Sequence, residues 1–379
     1  MDRVRFQWQS IWRTVGEHFT WVGSHKNLHV VTYAIDSLRQ LAAKFLEKEE
    51  RKSFSYQKMF LRPFETIMLN NLTSRQKEIK EYVVMCIAAL CQQKAKYIRS
   101  GWEVILNIFT LAAQDTEAHL AAQSFQALEY AVTNHFSLLE ESFPELVNCL
   151  SKFSMNPQQS TKALSLLKVC ARRLSTSQIV EDYVEGQGRA VHQRDVEHMS
   201  RGAPAYGIQS EFQKSVGRQI PGSTKAKNEG KPAEQMGSTE AIQLSVLKEL
   251  WFPILRSYTS LMMEKSDQIS TAALSALEAT LEEHHPHFSE ELWREIFSQV
   301  LLPVLDDIRI QVDQAIKRGG SERANGLAST LRRLLGSMNS FLCRTQDKLA
   351  PSLLTAYTDA LCLFASNIKN NELAVEVMT

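Results

Sequence analysis

Apolar residues recur at three- and four-residue steps along most of the chain, the spacing of one buried helix face. Val4, Trp8, Ile11, Trp12, Val15 and Phe19 predict a first helix, which Gly23 and Ser24 break. Leu28, Val31, Ile35, Leu38, Leu41 and Phe45 form the stripe of a second, with Asp36, Arg39, Gln40 and Lys44 outside it. After a polar stretch from Glu47 to Ser53, Phe54, Met59, Phe60 and Leu61 lead to Pro63, which either starts a helix or kinks one already running. Ile79, Val83, Cys86, Ile87 and Leu90 place the next helix over about Arg75 to Lys96. A sharp corner follows at Tyr97-Ile98-Arg99-Ser100-Gly101-Trp102-Glu103. There Ser100 and Glu103 have capping-box spacing, Gly101 allows a close turn and Trp102 supplies a core wedge.

Further along, Asp115 and Thr116 can cap a helix through Phe125, Leu128 and Val132, and Phe136 to Phe153 adds another. Asn156-Pro157 signals the start of a helix over Ala163 to Leu174. From about Ser175 to Thr239 the pattern fails: eight of the 15 glycines fall here with Pro204, Pro221 and Pro232, so the segment reads as a disordered linker or long insertion. Helical spacing resumes at Leu244, Leu247, Trp251, Ile254 and Leu255, continues through Ile269, Leu274, Leu277 and Leu281, and runs on from Leu292 to Leu305, where Pro303 is a candidate kink. Gly319-Gly320 precedes Leu327, Leu331, Leu334, Met338 and Phe341, and Leu353 to Ile368 closes the chain. No strand-period segment competes. Helix pairs of roughly 40 residues give an all-α fold, a HEAT/armadillo-like helical repeat array interrupted by the linker. The expected organisation is a helical-repeat block over 1–174, the linker over 175–239 and a second helical block over 240–379.

Composition narrows the function. Lys and Arg total 43 against 42 Asp and Glu, so no global field attracts nucleic acid or an anionic membrane, and only a local patch could do so. The six cysteines sit mostly within apolar helical patterns and none forms C-x-x-C, which reads as buried thiols in a reducing compartment. Met1-Asp2-Arg3-Val4-Arg5 lacks the apolar core of a signal peptide, and the longest apolar run, Val83 to Cys91, is far short of a bilayer span. A cytosolic protein with at most a peripheral membrane role is expected, read as a segment of something longer.

Candidate chemistry is thin. Glu282-Glu283-His284-His285-Pro286-His287 holds donors that could bind zinc or nickel. Pro286 and Ser289-Glu290-Glu291 instead favour a solvated corner, with Ser289 as N-cap and acids at the positive helix end. There is no G-x-S-x-G elbow, and Gly186-Gln187-Gly188 lacks the third glycine and the setting of a phosphate cradle. Arg172-Arg173 and Arg332-Arg333 read as solvated faces or partner contacts, and Trp8, Trp12 and Trp102 as core. No catalytic, cofactor-binding or metal-binding residue is assigned, and no cofactor.

Several stretches together resemble one family. Val4-Arg5-Phe6-Gln7-Trp8-Gln9-Ser10-Ile11-Trp12, Gly16-Glu17-His18-Phe19, and Ala34-Ile35-Asp36-Ser37-Leu38-Arg39-Gln40-Leu41 running to Lys48 are similar to the region downstream of the catalytic domain in the large Arf guanine-nucleotide-exchange factors of the brefeldin A-inhibited, or Sec-seven, group of the trans-Golgi. Phe60-Leu61-Arg62-Pro63-Phe64-Glu65 and Ile98-Arg99-Ser100-Gly101-Trp102 resemble its most recognisable phrases. Trp251-Phe252-Pro253-Ile254-Leu255 and His287-Phe288 to Trp293-Arg294-Glu295-Ile296-Phe297 resemble its next helical block. In that family exchange belongs to a separate upstream domain with a glutamic finger, to which nothing in this chain corresponds.

The resemblance implies a non-catalytic regulatory array that supports membrane recruitment and control of Arf activation in Golgi vesicle trafficking. Its implied partners are Arf- and Rab-family small GTPases, the Golgi membrane surface and upstream domains of the same parent protein, with no nucleic acid. The competing expectation is a general HEAT-type scaffold or transport adaptor without a GTPase link.

Overall fold

The computed structural model describes residues 2–48, 50, 56–72, 77–176, 233–264, 266–317, 321–345, 355 and 358. Side chains are described over 10–48, 50, 56–72, 77–174 and, with short gaps, 248–340. Most of the expected linker, the Gly319-Gly320 break and nearly all of the expected closing helix at Leu353 to Ile368 lie outside these residues.

Among the described residues there is no strand. The helices are α1 (Asp2–Val22), α2 (Leu28–Leu46), α3 (Tyr56–Asn70), α4 (Lys77–Lys94), α5 (Gly101–Ala113), α6 (Ala118–His135), α7 (Phe143–Ser154) and α8 (Ser160–Thr176). The second half contributes α9 (Ala233–Met262), α10 (Asp267–His284), α11 (Glu290–Ile296), α12 (Leu302–Lys317) and α13 (Ser321–Thr345). The described residues up to Thr176 and from Leu247 onward group as one compact unit.

The packing order explains why the hydrophobic stripes are wide. In the first half each helix from α1 to α5 packs on the next one along and on the next but one: α1, α3, α5 and α7 stack as one layer, and α2, α4 and α6 as the other. A helix in such an array faces neighbours on several sides, so α5 buries Trp102, Val104, Ile105, Leu106, Ile108 and Phe109 almost completely. Beyond α7 the chain continues through α8, which packs on α7 and on α10, and α10 in turn packs on α13. This is the two-layer helical repeat architecture of an α-solenoid.

Pro63 lies inside α3 and neither starts nor ends it. Without an N–H it leaves the carbonyl four residues earlier, on Met59, without its helical partner. The indole Nε1 of Trp12, on α1, donates to that oxygen at 2.6 Å. The Trp12 ring packs on Phe60 at 4.2 Å, and Phe60 stacks on Phe45 of α2 at 3.9 Å. One aromatic cluster therefore joins the first three helices at the point where the proline opens the backbone. Trp12 and Trp102 are both buried, as the spacing predicts; the side chain of Trp8 lies outside the described residues.

Several local expectations are revised by tertiary contacts. The segment expected as one helix over Phe136 to Phe153 is two 3-10 turns followed by α7, which starts just before Pro144. Asn156 does not cap a helix at Pro157; its Oδ1 accepts from Gln158 N at 3.1 Å in a turn, and α8 starts at Ser160. The helix expected through Leu305 is interrupted at Phe297–Leu301 by a π-type turn, and Pro303 falls in the first turn of α12, where a missing N–H costs least. Cys86, Cys91, Cys149 and Cys170 are buried thiols. Burial pushes Cys86 up to about 11 and Cys149 and Cys170 up to about 12.

Trp12 and Trp102 differ in one respect that mutation can read, because Trp102 Nε1 has no hydrogen-bond partner. Trp12→Phe should strand the Met59 carbonyl and cost about 1–3 kcal/mol more than Trp102→Phe, beyond the volume each loses. Urea unfolding of the two variants, compared at equal m-value, measures the difference.

Candidate functional site

The corner between α4 and α5 is held differently from the sequence expectation. Ser100 already has helical backbone angles (φ −57°, ψ −20°) and makes no side-chain cap bond to α5, so the Ser100–Glu103 capping box does not form. Glu103 instead pairs with Lys58 of α3. The capping groups come from 40–50 residues upstream. Glu50 accepts from Ser100 N at 3.0 Å and from Ser100 Oγ at 2.7 Å. Gln57, 1% exposed, accepts at Oε1 from Arg99 N at 2.8 Å and Gly101 N at 3.4 Å, and donates from Nε2 to Tyr97 O at 2.9 Å.

Gly101 is required by crowding, since a Cβ there would lie 2.8 Å from Leu61 Cδ1 and 3.2 Å from Gln57 Oε1. The α3 helix can approach that closely only because residue 101 has no side chain. Trp102, fully buried, then fills the core beneath.

At the opposite end of α4, Lys80 and Asp115 form an ion pair at 2.6 Å with side chains 5% and 4% exposed. Asp115 also accepts from Glu117 N at 3.1 Å. Asp115 therefore closes the turn before α6 and neutralises a buried lysine; the residue at the N-cap position is Glu117, with no side-chain cap bond. A buried carboxylate this close to a lysine must keep its partner to stay tolerable.

On α2, Asp36 accepts from Arg39 Nη2 at 2.7 Å and from Gln40 Nε2 at 2.7 Å. The Arg39 bonds hold its carboxyl below the usual range. The stabilisation this clamp gives is thus present above the unfolded carboxylate value and is lost as pH falls through the lowered one.

The His-rich corner divides. His284 turns inward, 3% exposed, and packs on Trp251 at 5.3 Å, whereas the sequence placed it at a solvated turn. The cause is Trp251, which also stacks edge-on against Phe288 at 4.8 Å and so makes an aromatic floor under the turn. His285 Nδ1 lies 2.8 Å from Glu282 O, and the His287 side chain is outside the described residues. Ser289 caps α11 as expected, accepting from Leu292 N at 3.2 Å. Among the described residues no three His, Cys, Asp or Glu side chains are grouped as metal ligands.

Arg172 pairs with Glu283 of α10 at 2.9 Å, Arg173 lies 5.3 Å over the Phe136 ring, and Arg333 donates to Thr271 at 3.3 Å. These arginines join helices. A cleft of about 370 Å³ lies beside α10, lined by Leu277, Leu281, Phe297, Leu301 and Leu334 with Glu278, Glu282 and Arg333 among its polar lining. Sequence periodicity did not single out Trp21 and Tyr33, which are 70% and 78% exposed; on helices so rich in apolar positions, nothing in the spacing separates a core aromatic from a surface one.

Comparison with known proteins gives this geometry a context. Residues 44–130, which contain the corner and the Lys80–Asp115 pair, match the family model described as Mon2/Sec7/BIG1-like, HDS. Residues 251–377 match a second, described as GBF1-like, tetratrico peptide repeat region. Brefeldin A-inhibited guanine nucleotide-exchange protein 3 of Arabidopsis thaliana is 30% identical over 83% of this chain. The chain is a relative of non-catalytic helical regions of the large Arf exchange factors.

Among these exchange factors, the human brefeldin A-inhibited guanine nucleotide-exchange protein 1 is 43% identical over 46% of the chain. The fission-yeast ADP-ribosylation factor guanine nucleotide-exchange factor sec72 is 28% identical over 97%. The chain spans 16%, 10% and 17% of these three relatives' own lengths. A solved circular tandem repeat protein aligns over 97% of the chain at 12% identity and a TM-score of 0.40, too distant to carry an argument. The two family matches meet this chain on helix pairs, corners and core residues.

Two sets of substitutions test the corner and the buried pair. Glu50→Ala should cost about 1–2 kcal/mol by uncapping α5, whereas Glu103→Ala, which breaks only a part-exposed pair, should cost about 0–1 kcal/mol; the reverse order in chemical denaturation would restore the capping box. Asp115→Ala, which leaves Lys80 buried without its carboxylate, should cost about 3–5 kcal/mol, and Lys80→Met with Asp115→Leu should recover most of that loss.

Proposed function

We propose that this chain is a non-catalytic regulatory and scaffolding segment of a large Arf guanine nucleotide-exchange factor. In this reading it supports membrane recruitment and the control of Arf activation in Golgi vesicle trafficking. The observation that carries the proposal is where the family matches fall: on helical regions whose named residues cap corners, pair buried charges and fill a core. Residues of that kind hold a surface in shape. The organisation that goes with it is two helical-repeat blocks, 1–174 and 240–379, joined by a linker over 175–239 into which α8 and α9 extend at its two ends.

The mechanism is coupling. A small GTPase of the Arf or Rab family, or a membrane surface, that binds one arrangement of the parent protein better than another shifts the balance toward it by the difference in affinity. Upstream domains of the parent protein are the other partner, and exchange itself resides there. No described helix is long and apolar enough to cross a membrane, and the contact with trans-Golgi membranes is peripheral in this reading.

Purified chain should not accelerate nucleotide release from Arf, measured with a fluorescent guanine nucleotide, and should capture GTP-loaded Arf or Rab proteins in preference to the GDP-loaded forms. Stimulated release would overturn the non-catalytic assignment. Capture indifferent to the nucleotide would favour a general scaffold.

A further inference from the structure

One edge of the first half carries more positive charge than its surroundings compensate. The helices α2 and α4 run parallel in the same layer, so their C-terminal ends lie side by side, tied together by the Lys94–Glu47 pair. Lys44, Lys48, Lys94, Lys96 and Arg99 stand on these ends and the turn after α4. The carboxylates described on the same segments are Glu47, which pairs with Lys94, and Glu50, which caps α5.

Cations at helix C-termini are ordinary, because the macrodipole places about half a negative charge at each end. Among the described residues, two helix ends and two carboxylates leave roughly two of the five cations uncompensated, in a chain whose totals nearly cancel. Lys44, Lys48, Lys96 and Arg99 are exposed; none forms a direct ion pair among the described residues, and Lys44 acts on Glu47, already held by Lys94, only at longer range. Two of them lie over aromatic rings: Lys48 Nζ is 5.1 Å from the Phe45 centroid, and Lys96 Nζ is 4.9 Å from that of Tyr97, itself 40% exposed.

We propose that this edge docks on an anionic lipid surface, with Lys44, Lys48, Lys96 and Arg99 meeting headgroups and Tyr97 lying at the interface. The proposal rests on the membrane contact of the reading above and assigns its location. Cations that stand on neighbouring helix ends, at the rim of a two-layer array, meet a broad surface together. Exposed tyrosine beside lysine is the side-chain mixture that suits the boundary between headgroups and acyl chains. The corner's capping bonds, from Glu50 and Gln57, hold Arg99 and Tyr97 in place without consuming their exposed ends.

The test is co-sedimentation of the purified chain with phosphatidylcholine vesicles that contain or lack phosphatidylserine. The chain should bind only the anionic vesicles and release them as salt is raised. Each cation near a charged surface is worth about fivefold in partitioning, so K44E/K48E/K96E/R99E should lose at least about tenfold, and K44E/K96E an intermediate amount. A control that reverses Arg13, Lys26, Lys162 and Arg332 should keep most of the binding, with helicity by circular dichroism unchanged in all three.

Should the fourfold variant not fold, the K44E/K96E pair decides the matter alone. Anionic binding that survives both rim variants places the membrane contact elsewhere and overturns this edge while leaving the functional reading intact. A native chain that ignores anionic vesicles overturns both. Rim-dependent binding to polyglutamate without vesicle binding would assign the edge to an acidic protein segment and overturn the lipid assignment.

Discussion

The fold depends on satisfying backbone groups at places where the chain opens its own helices. At Ser100-Gly101, α5 begins under a packed neighbour, and the N–H groups there are met by Glu50, which precedes α3 in the chain, and by Gln57 in its first turn. At Pro63 the opened carbonyl is met by the indole of Trp12. Each solution spans 40 or more residues of sequence, so each is also a tertiary lock between consecutive helix pairs. An unsatisfied buried N–H or C=O costs more than a typical bond returns, which makes these few contacts decisive for where one pair sits on the next.

Charge follows the same layered logic. Because α2, α4 and α6 run parallel, their starts gather on one edge and their ends on the other. The starts of α4 and α6 hold the Lys80–Asp115 and Lys77–Glu117 pairs, which neutralise each other. The ends of α2 and α4 hold lysines with fewer acids. A chain of nearly zero net charge can thus present a polarised outline, an arrangement that no count of residues exposes and that only a parallel layer of helices creates.

The relation to the large exchange factors and the physical reading converge on the same residues. Phrases that resemble the family at Asp36, Pro63 and Ser100-Gly101-Trp102 are the ones whose side chains carry a specific geometric duty: a carboxylate that clamps Arg39 and Gln40, a proline whose opened carbonyl is answered from α1, and a glycine with no room for a Cβ. These are scaffold duties.

The sequence by itself determined the helices. A 3.6-residue period is local, survives any arrangement of neighbours, and put α2, α4, α5 and α10 close to where they lie; buried Trp12 and Trp102 and the Ser289 cap were legible for the same reason. The tertiary structure alone decided the partners. Ser100 and Glu103 have the right spacing for each other, yet Glu50 and Lys58 take them, because stacked helix pairs bring in competing groups that sequence distance hides. His284 left the solvent it was expected to face because Trp251 lies across the turn, and Asp115 gave up capping for Lys80. The cationic edge belongs to this second class: its members sit some 50 residues apart in sequence and become neighbours only when α2 and α4 lie parallel in one layer.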